Sequence, residues 1–534
     1  MASPRGPEAY RGSSSVSVRK WISRLHLRLK RVMIRTKMLK APVNAALLAV
    51  ATSASNRQQT GTIGMMSEGD RSEPSGRPAH NHLGLAPSER VNSSEHNVDF
   101  SVDWLDPRDL LIPDRFDFGA KILYARLRER GVACDWGRLV YSFHLAVWNQ
   151  FSERFPCKAS EADFLDSFHR LLDATRLAAG RGLHSLIPLA RNGAPVDGAH
   201  RIISALQMGK SVACVMTDLP PATCDYNYTY FQDRLNEAGH VPGLESLASD
   251  VFDAMALEFC RVLPKIAIAV KFPAARGRNG EVDQILSEHA SIFYKKAVQF
   301  RNDGPVELMR TIYEKEEGLG TLTTNFDGAR QQAKLCFARR GPAYFYLLAF
   351  KDYADLEKAK ERVRDLFGIS THTMHITDTR DEALRVAKLA LSDNSIRFAN
   401  LRSHREMANF SRLFSIYRTA FSGAEDADDY CIDGSAVMSA YGIRDCGGLD
   451  FLSRGGQLIP PVNNQLFALH NEHAQYYGPK TLDDIIYDHR NHFWLSGIKF
   501  ATLANVWNWK HARGQARDHE DIRLMDAWGF RNPL

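Results

Sequence analysis

A cluster of polar side chains stands directly before an apolar helical repeat in the first half of the chain. Asp197, Gly198, His200 and Arg201 precede a segment whose apolar spacing predicts a helix. A helix N-terminus attracts phosphate through unpaired N–H groups, Gly198 lets a ligand approach the backbone, and His200 and Arg201 add donors for phosphoryl oxygens. The alternative is structural, with Asp197 as a helix cap and His200 as a packed side chain.

A second polar cluster lies in "STHTMHITDTRDE", in the middle of the chain. His375 alternates with apolar neighbours, which predicts a strand edge that exposes its ring, and Thr377 or Asp378 is expected to cap the next helix. His375 and Asp378, three residues apart, are candidates for a catalytic acid–base pair or for metal binding. The alternative is a capped turn without catalytic function.

The elements around these clusters predict a multidomain α/β (α+β) protein. Strands alternate with helices, and 534 residues suffice for about three domains. The predicted divisions are a basic, low-complexity extension at 1–97, a first α/β unit at 98–235, a middle α/β domain at 236–405 and a C-terminal domain at 406–534.

Several segments carry specific expectations. A buried strand is expected at 343–350, followed by a helix with Leu356, Ala359, Val363 and Leu366 on one face. The segment "DDYCIDGSAVMSAYGIRDCGGLDFLS" is predicted to begin as a helix and to end as a strand. The last stretch, from Gly497 onward, is predicted to be one long helix.

The positive charge of the chain is concentrated at its N-terminus. The formal net charge is +6, but residues 1–40 hold eleven Lys/Arg and one acid, so the remainder is about −4. Basic and apolar residues at helical spacing between residues 18 and 40 predict an amphipathic helix, interpreted as a targeting segment, a membrane-surface helix or a nucleic-acid arm. A nucleic-acid partner is therefore expected only through this tail. The alternative is an extension without function, because Ser, Gly, Asn and Pro dominate from Ser53 to about Asn97.

The cysteines and the hydropathy pattern favour a reducing, cytoplasmic location. The eight cysteines form no CxxC pair and have no histidine at zinc spacing, which predicts reduced and mostly buried thiols. No apolar run reaches the 18 or so residues that a transmembrane helix needs.

The segment "VDGAHRIISALQMGKSV" resembles the signature of the ParB/sulfiredoxin superfamily over roughly residues 183–218. The resemblance implies a nucleotide phosphate site at Gly198, His200 and Arg201, where Asp197 positions a metal or a hydroxyl group. Ala199 stands where sulfiredoxins carry their reactive cysteine, which argues against sulfinic-acid repair.

The segment "DGSAVMSAYGIRDCGGLDFL" resembles the nucleotidyltransferase (DNA polymerase β-like) superfamily. The resemblance implies that Gly434 and Ser435 bind phosphate and that Asp450 holds Mg²⁺ as a catalytic carboxylate. The first acid of the family pattern falls at Gly448, so Asp445 is the expected substitute as catalytic and metal-binding acid.

The distal "KHARGQARDHEDIRLM" strengthens this second resemblance. It implies that Lys510, Arg513 and Arg517 face phosphates and that Asp518 and Asp521 fix those cations. The alternative is a solvated helix with charge pairs at i,i+4 spacing.

These observations favour an enzyme of phosphoryl or nucleotidyl transfer that uses a nucleoside triphosphate, Mg²⁺ and a phosphorylated or hydroxyl-bearing acceptor. One alternative is a regulatory, nucleotide-sensing or nucleic-acid-associated ParB-like protein with a degenerate nucleotidyltransferase domain. A further alternative is a sugar-nucleotide glycosyltransferase, which requires a second metal-binding acid beside Asp450.

Overall fold

The computed structural model of the chain contains many helices and several small sheets. This composition confirms the predicted mixed α/β class. The structure describes residues 102–154, 157–178, 185–221, 225–238, 243–321, 324, 326–403, 405, 407–421, 427–455 and 466–530. The predicted extension at 1–97 and its basic helix lie outside the described residues. No helix in the described part is long and apolar enough to cross a bilayer.

The first part of the chain places helices against a three-stranded sheet. Its elements are β1 (Asp103–Leu105), α1 (Phe118–Glu129), α2 (Trp136–Asn149), β2 (Glu153–Arg154), β3 (Cys157–Lys158), α3 (Glu161–Leu177), β4 (Ile187–Leu189), α4 (Ala199–Gln207), β5 (Val212–Met216), α5 (Tyr228–Ala238) and α6 (Leu244–Val262). Strand β5 pairs antiparallel with β1 and parallel with β4. Parallel neighbouring strands need a crossover connection, and α4 is the crossover between β4 and β5. This helix begins within the Asp197–Arg201 segment.

The middle part is built on an antiparallel sheet in the order β7-β8-β6-β9. Its elements are β6 (Ile266–Lys271), α7 (Asn279–His289), β7 (Ser291–Val298), α8 (Gly304–Ile312), α9 (Asp327–Cys336), β8 (Ala343–Ala349), α10 (Tyr353–Phe367), β9 (Met374–Ile376), α11 (Arg380–Ala390) and α12 (Asp393–Leu401). The predicted strand at 343–350 and the helix that buries Leu356, Ala359 and Val363 are both confirmed.

Alternation along β6 explains why this sheet is covered on both faces. Ile268 and Val270 join the large core shared with the rest of the molecule, whereas Ala267 and Ala269 join a second core. The second core contains residues of α7 and α10, such as Leu286 and Leu356. Successive side chains of a strand point to opposite faces, so β6 belongs to both cores.

The C-terminal part contains a mixed five-stranded sheet in the order β12-β11-β10-β14-β13. Its elements are α13 (Ala408–Phe421), β10 (Tyr430–Asp433), α14 (Ser435–Ala440), β11 (Leu449–Ser453), β12 (Phe467–Leu469), α15 (Leu482–Tyr487), β13 (His492–Leu495), β14 (Ile498–Ala501), α16 (Leu503–Arg513) and α17 (Ala516–Ala527). Strand β10 lies in the centre, antiparallel to β11 and parallel to β14.

Two helix predictions in this part are wrong. The segment before Gly434 is the central strand β10, because its short apolar run pairs with strands on both sides. The final stretch begins as strand β14, which forms a hairpin with β13 through Ser496 and Gly497, both at positive φ. It continues as two helices, because Gly514 at φ 65° ends α16.

Buried side chains from all three parts form one continuous hydrophobic cluster. One contact between the middle and C-terminal parts is the stacking of Phe398 on Phe493, with ring centroids 4.3 Å apart. The seven described cysteines are free and five of them are buried, which agrees with the expectation of reduced thiols.

Candidate functional site

Two acids face each other on adjacent strands of the C-terminal sheet. Asp433 is the last residue of β10, and the antiparallel register pairs it with Asp450 of β11. Side chains directly opposite each other lie on the same face of a sheet, with Cβ atoms about 5 Å apart. The sheet therefore brings two carboxylates together that are 17 positions apart in the sequence.

Asp433 is fully buried, and within the described residues neither of its carboxylate oxygens has a hydrogen-bond partner. The hydroxyl of Tyr477 lies near Asp433 but does not meet the geometric criteria of a hydrogen bond. Burial, and then the charge of Asp433, raises the pKa of this tyrosine. A small rotation of that ring would still leave one oxygen unpaired. Because an unpaired buried charge is costly, this carboxylate is a candidate ligand for a cation.

Asp450 is less buried than Asp433 and opens toward the surface, with its side chain 23% exposed. Burial, and then the charge of Asp433, raises its carboxyl pKa to about 6. Gly434, at φ 66°, leaves room for it: a Cβ there would lie 2.9 Å from Oδ2 of Asp450. The glycine is thus required both by the turn and by the neighbouring carboxylate.

Asp445 does not take the place of the missing acid. Its carboxylate accepts hydrogen bonds from the backbone N–H groups of Asn409, Phe410 and Cys446, at 2.9–3.0 Å, and so anchors the start of α13. Gly448 lies where β11 approaches β12, and a Cβ there would be 3.2 Å from the carbonyl oxygen of Leu466. The acid that pairs with Asp450 is instead Asp433, on the preceding strand.

Two histidines border the carboxylate pair. His470 follows β12, and its Nε2 lies 3.5 Å from Oδ1 of Asp450. The ring of His473 lies edge-on to that of His470 at 4.1 Å and stacks on Trp509 at 5.2 Å. Burial is the main reason that the pKa values of both histidines are lowered.

Lys510 and Arg513 of the C-terminal helices are held by acids, as the resemblance implies. Lys510 Nζ lies 3.2 Å from Asp518 Oδ1 and 2.8 Å from Asp521 Oδ2. Arg513 also bonds to Asp518, at 2.8 Å. Much of the positive charge of Lys510 and Arg513 is therefore compensated before any ligand is bound.

Arg517 differs from these two cations. It is exposed, it makes no ion pair with the described residues, and its charge is among those that lower the pKa of Asp450. Arg517 is therefore a positive charge within electrostatic reach of the carboxylate pair that is free to contact an anionic ligand.

The donor set fits Mg²⁺ bound together with a substrate. Among the described residues no group of three or more His, Cys, Asp or Glu side chains is placed to hold a metal. Mg²⁺, however, is commonly held by one or two carboxylates plus substrate phosphates. Asp433 and Asp450 provide those two carboxylates. Both carboxylate oxygens of Asp433 lack a partner among the described residues and are available to coordinate a cation.

The Asp197–Arg201 turn has a different character. Gly198 precedes α4 at φ 90°, and its N–H donates to Oδ1 of Asp197 at 2.6 Å, so Asp197 is not a standard helix cap. The Arg201 guanidinium donates to the hydroxyl of Ser185 at 2.5 Å and to the carbonyl of Leu186 at 2.8 Å. These contacts hold Arg201 against its own turn.

His200 packs, as the structural alternative proposed. Its ring lies 4.5 Å from that of Phe168, and its Nε2 is 2.8 Å from the hydroxyl of Tyr141. Burial, followed by the charges of Lys121 and Lys158, holds its pKa well below the ordinary value. A neutral, packed imidazole is a poor phosphate ligand.

The middle cluster is a capped turn. His375 is buried, not exposed, because α11 covers β9 and places Glu382 Oε1 at 2.7 Å from its Nε2. Asp378 does not pair with His375; its side chain accepts from the hydroxyl of Tyr353. The cap of α11 is Thr379, neither Thr377 nor Asp378.

Comparisons with models of protein families, with curated proteins and with solved structures found no match to this chain. The two superfamily resemblances therefore remain predictions.

Proposed function

We propose that the C-terminal sheet carries the site of an enzyme that transfers a phosphoryl or nucleotidyl group from a nucleoside triphosphate with Mg²⁺. The observation that carries the proposal is the buried, unpaired carboxylate of Asp433 opposite Asp450. Two adjacent carboxylates cannot both ionise readily without a cation. Mg²⁺ between them and the triphosphate would neutralise charge and orient the phosphates for in-line displacement.

The residues around the pair have separable roles in this proposal. Asp433 and Asp450 hold the cation, and Arg517 contacts phosphate oxygens. Gly434 and Ser435, with Lys510 and Arg513 on α16, remain predicted phosphate contacts. Because Asp518 engages both Lys510 and Arg513, we expect these two cations to orient the ligand more than to add affinity.

The reaction balances without a further co-reactant. In nucleotidyl transfer the acceptor oxygen bonds to the α-phosphorus, the bond to the β-bridging oxygen breaks, and pyrophosphate leaves with the electron pair. In phosphoryl transfer the attack is at the γ-phosphorus and a nucleoside diphosphate leaves. In both cases the proton of the acceptor hydroxyl passes to solvent.

A second candidate is nucleotide sensing without transfer. It is favoured by the compensated charges of Lys510 and Arg513 and by the lack of a third metal ligand among the described residues. Transfer from a sugar nucleotide also stays open, because Asp433 meets its requirement for a second acid beside Asp450.

The test is isothermal titration of the full chain with ATP, CTP, GTP and UTP, with and without Mg²⁺. We expect Mg²⁺-dependent binding that Asp433→Asn and Asp450→Asn each weaken by at least about tenfold, since each removes a charged partner of the cation. Asp381→Asn, an exposed acid of α11, is the matched control.

Product analysis separates the candidates. Release of pyrophosphate or of a nucleoside diphosphate supports transfer, whereas binding without either product supports sensing. Release of the sugar from a bound sugar nucleotide identifies glycosyl transfer. If no nucleotide binds to the wild-type chain, the proposal is wrong.

A further inference from the structure

A groove of about 770 Å³ lies between α5, the first half of α6 and the edge strand β7. Its lining residues belong to none of the sites described above. Small-molecule sites commonly occupy about 300 to 1,000 Å³, so this groove is large enough for a ligand of substantial size.

Three uncharged hydrogen-bonding side chains of α5 line the rim of the groove, and the exposed acid Glu245 lines it from α6. Thr229, Gln232 and Asn236 recur on α5 at spacings of three and four residues, which places them on one helix face. Ser249 faces them from α6. The side chains of Thr229, Asn236 and Ser249 make no hydrogen bond with the described residues, so their amide and hydroxyl groups are free to bind a ligand.

The floor of the groove is apolar. Leu244, Ala248 and Phe252 line it at spacings of four residues on α6, and Leu235 lines it from α5. Tyr228, which also lines the groove, packs edge-to-face on Phe252, with ring centroids 5.5 Å apart. The groove therefore combines an apolar floor with a largely polar rim.

The two lysines of the groove are compensated by acids. Lys295 Nζ contacts both oxygens of Asp283, at 2.7 and 2.8 Å. Lys296 is bound by Asp253 and, at 2.9 Å, by Asp393. With three carboxylates on two ammonium groups, the groove offers no net positive charge to a phosphate or to another anion.

We propose that this groove binds an uncharged, polyhydroxylated ligand of the oligosaccharide class. The C–H faces of sugar rings suit the apolar floor, and sugar hydroxyls suit the amide and hydroxyl groups of the rim. Because both lysines are compensated, we expect neutral sugars to bind in preference to nucleotides and acidic sugars. This site stands independently of the proposed nucleotide site.

The experiment screens the full chain against neutral hexasaccharides, namely maltohexaose, cellohexaose, N-acetylchitohexaose and mannohexaose, by array retention and then by titration. Sulfated and phosphorylated sugars on the same array are the charged comparison. We expect retention of at least one neutral sugar. Ser249→Trp, which fills the groove, and Asn236→Ala, which removes one amide, should each weaken binding by about tenfold or more.

Ser415→Trp, at an exposed serine of α13, is the matched control and should bind as the wild type does. Asp433→Asn should also leave sugar binding unchanged, which separates this site from the nucleotide site. Failure of every neutral sugar to bind, unchanged binding in both groove variants, or preference for charged sugars would each overturn the proposal.

Discussion

Two Asp-Gly turns with similar sequences lead to opposite electrostatic outcomes. Gly198 and Gly434 each follow an aspartate, precede a helix and have a positive φ, of 90° and 66°. Asp197 is satisfied within its own turn, by the N–H of Gly198 and by Arg201. Asp433 has no such partner in the described part of the chain.

The difference arises from what lies beside each turn. Arg201 folds back over Gly198, where a Cβ would lie 2.9 Å from its guanidinium. The group next to Gly434 is instead a second carboxylate, that of Asp450, at the same 2.9 Å. A motif that resembles phosphate-binding signatures therefore closes on itself in one place and leaves a buried carboxylate without a partner among the described residues in the other.

The largest expected effect concerns ligand-induced stabilisation. A nucleotide at about 100 times its Kd should stabilise the wild-type chain by about 2.7 kcal/mol in thermal unfolding with Mg²⁺. Asp433→Asn should abolish this gain, whereas Asp197→Asn, the matched change in the other turn, should retain it. Equal losses in the two variants would remove the distinction between the turns.

The stability of the variants without nucleotide shows whether a lost gain is due to misfolding. Without nucleotide, Asp433→Asn should not lower the free energy of unfolding, because asparagine removes an unpaired buried charge. Chemical denaturation of both variants measures this.

The second prediction compares two arginines. Arg201→Ala should lower the free energy of unfolding by about 2 kcal/mol, because it deletes bonds to Ser185 and Leu186 inside the turn. Arg517→Ala should change stability by less than about 0.5 kcal/mol and weaken nucleotide binding instead. Urea denaturation and titration of both variants check this; the opposite pattern would place the phosphate contact in the first turn.

The third prediction compares the two glycines. Gly198→Ala and Gly434→Ala should each cost about 1 kcal/mol of stability, because alanine is strained at positive φ. At Gly198 the new methyl group displaces the end of a flexible arginine. At Gly434 it displaces the Asp450 carboxylate, so only this variant should lose nucleotide affinity in titration. Unchanged affinity in Gly434→Ala would show that the position of Asp450 is not critical.

The smallest effect is the acid sensitivity of His200. The pKa of His200 is lowered in the folded chain, whereas in the unfolded chain it is about 6.5. At pH values below about 6.5 the unfolded chain therefore binds more protons at this position than the folded chain does. This contribution to stability is present above pH 6.5 and is lost as the pH falls. His200→Phe should therefore reduce the loss of stability between pH 7 and pH 5 by about 1 kcal/mol, measured by urea denaturation, without altering nucleotide binding. An unchanged pH dependence would mean that His200 takes up its proton in the folded state.

The sequence located part of the candidate site. Asp450 lies on the strand predicted for the end of its segment, Gly434 and Ser435 open a helix as the resemblance implies, and Asp518 and Asp521 hold cations of the last two helices as the resemblance also implies. Asp433 was missed because a short apolar run before it was interpreted as a helix start. The Asp-Gly pair directly after that run is a turn signal that would have favoured a strand.

His470 and His473 escaped prediction for another reason. They follow a three-residue strand, β12, whose place beside β11 depends on sheet order. Their distance of 20 and 23 residues from Asp450 carries no information about contact. Similarly, the exposed His375 expected from alternation is buried, because the chain folds back after β9 and the helix that follows it, α11, places Glu382 against the ring.

The sequence by itself determined the local features of this protein: two turns that need glycine, and the alternation of β6 that divides its side chains between two cores. Only the tertiary structure decided which aspartate is left without a partner. Burial and partnership depend on strand order, register and the elements that cover a sheet, and these are properties of contacts between distant residues. The same Asp-Gly pair is therefore structural at position 197 and a candidate metal site at position 433.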